Sequence, residues 1–402
     1  MAKPRIAKPH VLIAGAGIGG LTAALALLER GMKVSVFERV AQLREIGAGF
    51  HCTPNGTRVL KNLGLGPAID EVGVRLAERD IRLWNTGRAW LLAGHGRDSE
   101  RRYGSPYMAF HRGDLHSILA RAVMQRQPDA VHLNSNVIGF RQDADGVALE
   151  VEGGRTFKGD ALVGADGVHS VVRKQLFGPD KAEFSGEIAW RGLIPVGRLP
   201  ERMRGSITTN WIGPHGSVSV YPVRRGELIN FVGLVERDDW RVESWIQEGS
   251  HEECERDFRG WHEDIFTLIR NIETPFKWAL FLREPQKRWS QGPVTLLGDA
   301  CHSMVPYLGQ GANSAIEDAY VLARCLDGDP DVASALRRYE AARKDRATEL
   351  VHQSTAQSKL IHDPVLGDPD KAIAYIEHNW APERIKGRYD WIFDYDAATA
   401  PI

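Results

Sequence analysis

The sequence predicts an α/β chain: a parallel, doubly wound nucleotide-type domain, interrupted by a mostly antiparallel sheet and followed by a C-terminal helical segment. Three observations predict it. The first forty residues read as strand, glycine turn, helix, strand. From about 185 to 283 the pattern changes to longer alternating runs. At 293 a short apolar run returns ahead of a long helical stretch, so the first domain resumes after an interruption.

Each element has its own signal. "HVLIAG", from His10, is a short apolar run without alternation, as in a strand buried on both faces. "LTAALALLERG" holds helix formers and ends on a glycine, and "KVSVFER" alternates as the next strand. The three make a βαβ unit whose crossover is right-handed. Helices are expected at 54–64 and at 114–126, the latter with Leu115, Ile118, Leu119 and Val123 at helical spacing. Short strands follow in "VHLNSNVIGFRQ", "VALEVEGG" and "ALVGAD". The second sheet is read in "IAWRGLIPV", "SVSVYPV", "LINFVGLV" and "KWALFL", with one helical piece at 251–270. "PVTLLGD" is again a buried strand, and helices run to about 327 and over 331–355. The tail carries Trp380, Tyr389, Trp391, Phe393 and Tyr395, so it is expected to pack on the core. The expected division is 1–75, 101–180 and 285–355 for the first domain, 76–100 and 181–284 for the inserted one, and 356–402 for the tail.

Composition narrows the class. The chain has 402 residues, 43% hydrophobic and 26% charged, with a net charge of −1, so no basic field draws nucleic acid or anionic lipid. Cys52, Cys254, Cys301 and Cys325 are widely spaced and form no metal pattern, which suits a reducing, cytoplasmic setting and no metal. Residues 11–28 lack charge and imitate a membrane span. Four glycines within six positions and the strand that follows argue for a turn and helix instead. A monomer or homodimer without nucleic-acid or membrane partners is expected.

The turn "GAGIGG" supplies Gly15, Gly17 and Gly20. In such a turn the first glycine leaves the strand tightly, the second admits a pyrophosphate to the backbone, and the third lets helix and strand approach. The anion then rests on free N–H groups at the helix start. Glu38, at the end of the second strand, is placed to accept hydrogen bonds from a ribose diol. A dinucleotide is therefore expected. The motif leaves open whether it is a flavin or a nicotinamide.

Further motifs bear on that choice. "ALVGADGVHSVVR" sets Asp166-Gly167 after a strand and opens a helix at about Val168, with Ser170 and Arg173 beyond. From the residues alone, Asp166 caps that helix and Arg173 pairs with a carboxylate. "GDACHSMVP" holds Asp299 and Pro306, and "GQGANSAIEDA" strips the backbone nearly bare across Gly309, Gly311, Ala312 and Asn313. "HRGDL" holds Arg112. In this order the motifs resemble those of the single-component flavoprotein aromatic hydroxylases, the para-hydroxybenzoate hydroxylase family. Within it the chain is most similar to the salicylate, 3-hydroxybenzoate and 6-hydroxynicotinate hydroxylases. The resemblance implies a Rossmann-like FAD-binding domain of the GR2 type with an inserted substrate sheet. It implies FAD as prosthetic group, NADH or NADPH as electron donor and dioxygen as cosubstrate. It further implies that Asp299 meets the ribityl chain, that Arg112 contacts the ribityl or phosphate region, and that Gly309 to Asn313 lie against the flavin ring. Ile18, Arg39, His51 and Val137 complete the cofactor set it implies, and Pro306 is expected to end the preceding strand and shape the ring pocket.

By the same resemblance, a 4a-hydroperoxyflavin transfers oxygen to a small hydroxyaromatic acid. His51, in "GAGFHCTPN", and Tyr221, in "SVSVYPV", match the catalytic positions; either residue could also be ordinary packing. Tyr221, Arg191, Pro306 and Tyr307 are the substrate-side set. Ser217 and Tyr307 stand where 3-hydroxybenzoate or 6-hydroxynicotinate enzymes carry histidines, so a salicylate-like acid is favoured over those two. A flavoprotein oxidase or dehydrogenase without oxygen insertion, a nicotinamide dehydrogenase, and a non-catalytic flavin-binding protein remain as rivals.

Overall fold

The computed structural model describes residues 8–43, 48–92, 96, 98–143, 146–179, 181–240 and 247–402. A six-stranded sheet forms the centre of the first domain, in the order Ser290–Gln291, Val294–Leu296, Ala161–Gly164, His10–Ala14, Lys33–Phe37, Val131–His132. All neighbours are parallel except the first pair. Val11 to Ala14 and Ala161 to Val163 have no exposed surface, which explains why these runs do not alternate. Helices Ile18–Glu29 and Gly311–Gly328 lie side by side on this sheet. Gly19 makes their contact close: a Cβ there would sit 2.7 Å from the Leu297 side chain and 3.1 Å from Ala315 Cβ.

The second sheet has seven strands in the order Phe276–Leu282, Glu183–Pro195, Leu228–Glu236, Gly216–Val223, Ile207–Gly213, Glu78–Leu83, Ala89–Leu91. Only the Ile207–Gly213 and Glu78–Leu83 pair is parallel. One face, with Ile188, Trp190, Trp211, Val218 and Phe231, packs against Cys254, Phe258, Ile265 and Leu268 of two short helices. The other face turns toward the first domain, where Asn230 Oδ1 accepts a hydrogen bond from Gly49 N at 2.7 Å. The tail packs as expected: Ile376, Trp380, Tyr389 and Phe393, on helices Pro369–Asn379 and Pro382–Phe393, share a cluster with Leu83, Tyr107 and Tyr221.

Several expectations shift. The strand read at 293–299 ends at Leu296, and Asp299 opens the short helix Asp299–His302. Pro306 does not end a strand; it begins a 3₁₀ turn, Pro306–Leu308, because its fixed φ suits a first helical position. The helix after Asp166 begins at Val171 with Ser170 as N-cap, since Gly167, at φ 75°, still belongs to the turn. The piece at 251–270 is two helices, His251–Asp257 and Glu263–Arg270. Strands Glu78–Leu83, Ala89–Leu91 and Ile207–Gly213 were not foreseen. Gly47, the first residue of "GAGF", lies outside the described residues.

Candidate cofactor and substrate site

Four motifs leave the carboxyl ends of adjacent parallel strands, the edge where open α/β sheets form their ligand crevice. The glycine turn follows His10–Ala14, Glu38 follows Lys33–Phe37, Asp166 follows Ala161–Gly164, and Asp299 follows Val294–Leu296. Gly15, at φ 99°, has Ala165 O only 2.4 Å from where a Cβ would be. Gly20 has Gly15 O at 2.1 Å from the same point, so helix and turn could not close with a side chain there. Gly17 differs: a Cβ would meet no atom within 4 Å. This bare position faces open space. Glu38 accepts a hydrogen bond from Ala16 N at 3.0 Å, while buried His116 contacts Ala16 O through Nε2 at 2.7 Å, so the turn is held from both sides. Ile18 is buried at the helix start and Arg39 is exposed beside Glu38. Val137 begins a strand whose lead-in residue, Ser135, donates its N–H to Glu38 O.

Asp166 is committed to capping, as the residues alone suggested. Its carboxylate accepts from Ser170 Oγ, Val171 N and Val172 N at 2.5, 2.8 and 3.2 Å, and burial raises its pKa despite these donors. Arg173 donates to Val168 O and to Ala300 O, tying the Asp166 turn to the Asp299 segment. Asp299 itself is exposed in an otherwise buried run, and its Oδ1 lies 4.0 Å from where a Cβ on Gly311 would stand.

The helix Gly311–Gly328 begins without a side-chain cap, and so does Ile18–Glu29. Each therefore offers free N–H groups to a ligand. Gly309, Gly311 and Ala312 stay partly accessible, whereas Gln310 and Asn313 are buried. Asn313 clamps the site: its Nδ2 donates to His51 O and Gly309 O at 2.9 and 2.8 Å, and its Oδ1 accepts from Thr53 N at 3.1 Å. Behind it Asn55 donates to Glu317 at 2.6 Å, Glu317 pairs with Arg343 and Arg346, and Arg343 pairs with Asp318. Asp318 also bonds His302 at 2.5 Å and accepts from Gly298 N at 3.2 Å. Cys301, His302 and Asp318 have donor atoms close enough for a metal. However, Asp318 is already engaged, and burial pushes the Cys301 thiol far up, away from a thiolate ligand.

Against this stands the free face of the second sheet. The register puts Arg79, Thr208, Tyr221, Asn230 and Leu193 in one transverse row, then Ile81, Asn210, Ser219, Val232 and Arg191, then Leu83, Ile212, Ser217, Leu234 and Ala189. Asn210, Ser219 and Val232 remain partly accessible in mid-sheet, and Asn210 Nδ2 is buried without a partner, so space and an orphaned donor lie there. His51 meets the first row. Its ring lies 4.0 Å from the Tyr221 ring and 5.4 Å from the Tyr107 ring, with Nε2 3.2 Å from Thr208 Oγ1. Burial and the Arg79 charge lower its pKa to about 3. Burial raises the Tyr221 phenol, so it stays protonated. Arg191 is buried over Trp278 at 4.9 Å, its pKa brought down to about 10 by burial and by neighbouring Arg112. Pro306 is exposed and Tyr307 buried at the wall, where burial and Glu187 keep its phenol protonated.

Sequence reasoning missed the residues that fix these parts. Asn55, His116, Glu317, Asp318 and Arg343 act through the fold, and no local spacing marks them. Ser217 and Tyr307 do lack imidazoles, yet His362, from the end of helix Val332–Ile361, supplies one between them. Its Nε2 is 2.9 Å from Ser217 Oγ, and its ring meets Tyr307 edge-on at 5.4 Å.

The bare, open position at Gly17, the two uncapped helix starts and the exposed Asp299 fit a dinucleotide carrying a flat ring. They define a flavin-dependent oxidoreductase. The FAD binding domain family matches residues 8–354, and the chain belongs to that family. It is 36% identical over 392 residues to a 3-amino-4-hydroxybenzoate 2-monooxygenase of Streptomyces platensis, covering 97% of each chain. It is 31% identical to a 6-hydroxynicotinate 3-monooxygenase of Pseudomonas fluorescens, covering 98% of this chain and 97% of that one. Among solved structures, Klebsiella pneumoniae HpxO complexed with FAD and uric acid superposes with a TM-score of 0.82 at 29% identity, covering 98% and 97%. The protein is an FAD-dependent aromatic monooxygenase, with NADH or NADPH and dioxygen as cosubstrates. Among the described residues, no helix is long and apolar enough to cross a membrane.

Proposed function

We propose that the protein hydroxylates a small aromatic carboxylic acid bearing a ring hydroxyl or amino group. The observation that carries this reading is His51, a neutral imidazole packed on Tyr221 beside Gly309, between the two halves of the site. The relative acting on an amino-hydroxybenzoate puts that class beside the salicylate-like acid favoured from the sequence. In this reading residues 76–100 and 181–284 form the substrate side and the parallel-sheet domain holds the cofactor.

The cofactor residues are Gly15, Gly17, Ile18, Gly20, Glu38, Arg39 and Val137 for the nucleotide end. Arg112, Asp166, Asp299, Gly309, Gly311, Ala312 and Asn313 serve the flavin end. When bound, the flavin supplies electron uptake from NAD(P)H and the activation of dioxygen. The protein orients the ring and excludes water. His51 accepts a hydrogen bond from the substrate hydroxyl, which enriches the ring carbon to be attacked. Desolvation makes this imidazole a weak base, so it holds a proton only when negative charge arrives beside it, as a carboxylate-bearing substrate provides. Tyr221, held protonated, donates rather than accepts. Arg191, Pro306 and Tyr307 bound the cavity.

The test is a panel of salicylate, 3-amino-4-hydroxybenzoate, 3-hydroxybenzoate and 6-hydroxynicotinate under labelled dioxygen, scored for NAD(P)H consumption and labelled product together. One acid gives product in step with NAD(P)H. Oxidised product without label from any acid favours the oxidase or dehydrogenase reading.

A further inference from the structure

We propose that Arg79 is the anchor for the substrate carboxylate. The inference rests on the reading above and deepens it. Arg79 lies on the site-facing side of strand Glu78–Leu83, paired in register with Thr208, whose hydroxyl contacts His51. On the opposite face of the same strand, Arg82 has an acidic partner, Asp80, at 3.0 Å. Arg79 has none among the described residues: its guanidinium sits over the Tyr389 ring at 5.3 Å, and its Nε is buried without a hydrogen-bond partner. The phenols around it do not neutralise it, since burial pushes Tyr107 up to about 12. A cation shielded from water and left without an anion is costly, and a carboxylate offered in its plane gains a charge-assisted, two-pronged contact. His51 feels this charge directly, so a substrate anchored here presents its ring beside the imidazole, and its carboxylate offsets the field that keeps that imidazole unprotonated.

The arginine expected from the sequence, Arg191, is less suited. It stands in the next row and three strands away, stacked on Trp278 and next to Arg112, at the cofactor side. The site takes an aromatic acid whose carboxylate lies toward strand Glu78–Leu83.

The test compares each panel acid with its own carboxamide on the FAD-loaded full-length protein, reading dissociation constants from flavin difference spectra as well as turnover. Wild type should bind the acid about tenfold or more tighter than the amide. Arg79→Gln should remove that preference by weakening the acid alone, Arg79→Lys should restore part of it, and FAD content should not change. Equal losses for acid and amide, or an acid unaffected by Arg79→Gln, overturn the proposal. Should Arg79→Gln fail to hold FAD, the wild-type and Arg79→Lys comparisons decide it, and no acid preference in wild type sinks it. Binding preference without labelled product would leave Arg79 as the anchor while refuting the hydroxylase reading.

Discussion

Glycines of one turn make opposite demands. Gly20 is bare because protein crowds it, Gly17 because nothing of the protein does. Gly20→Ala should therefore destabilise the fold, by about 1–3 kcal/mol of overpacking, seen as a lower urea midpoint. Gly17→Val, at a φ of −70° that valine accepts, should leave the apoprotein's melting temperature in place and weaken FAD at least about tenfold by fluorescence titration. His51 makes a pH prediction. Its folded pKa, about 3, lies below its ordinary 6.5, so the unfolded chain takes up the proton first as pH falls. Its contribution to stability is whole above about 6.5 and declines as pH falls toward about 3. His51→Gln should flatten the acid side of a plot of urea midpoint against pH. His51→Ala should also cut coupled hydroxylation by roughly 10²-fold or more, with peroxide rising in its place; unchanged turnover and coupling remove it from catalysis.

Elements are held in register by a few buried side chains. Asn313 joins strand Gly49–Cys52 to the start of helix Gly311–Gly328 through three hydrogen bonds, so Asn313→Ala should loosen FAD and raise the peroxide fraction together. Asp318 and Arg343 have side chains with no exposed surface. Asp318→Ala leaves Arg343 and His302 short of a buried anion and should cost about 3–5 kcal/mol in urea unfolding. None of this network was legible in the chain order. Asn55 and Glu317 are 262 residues apart, and their pairing is set by helix packing. The glycine turn and the Asp299 segment were legible because close backbone approach dictates residue type locally. The helix after Asp166 was read three residues early, since an Asp-Gly turn looks like a cap from sequence alone.

At the scale of the molecule, the parallel sheet was readable and half of the second sheet was not. "SVSVYPV" and "LINFVGLV" alternate or run apolar, so they declare themselves. "ERDIRL" and "ITTNWIG" mix charges and small polar residues because one face of each looks into a site rather than a core. They pair in parallel across more than a hundred residues, which no local pattern encodes. Arg79 and Thr208 were missed with them, and His362 for a similar reason, since it arrives at the end of a thirty-residue helix. The account's central claim is that the glycine turn, the Gly309–Asn313 segment and the sheet bearing Tyr221 enclose one cofactor. A crystal structure of the FAD-loaded protein tests it most directly. The account predicts the pyrophosphate at Gly15–Gly20 and the ring against Gly309–Asn313, facing His51 and Tyr221. A ring lodged elsewhere, or those segments contacting different molecules, would contradict it.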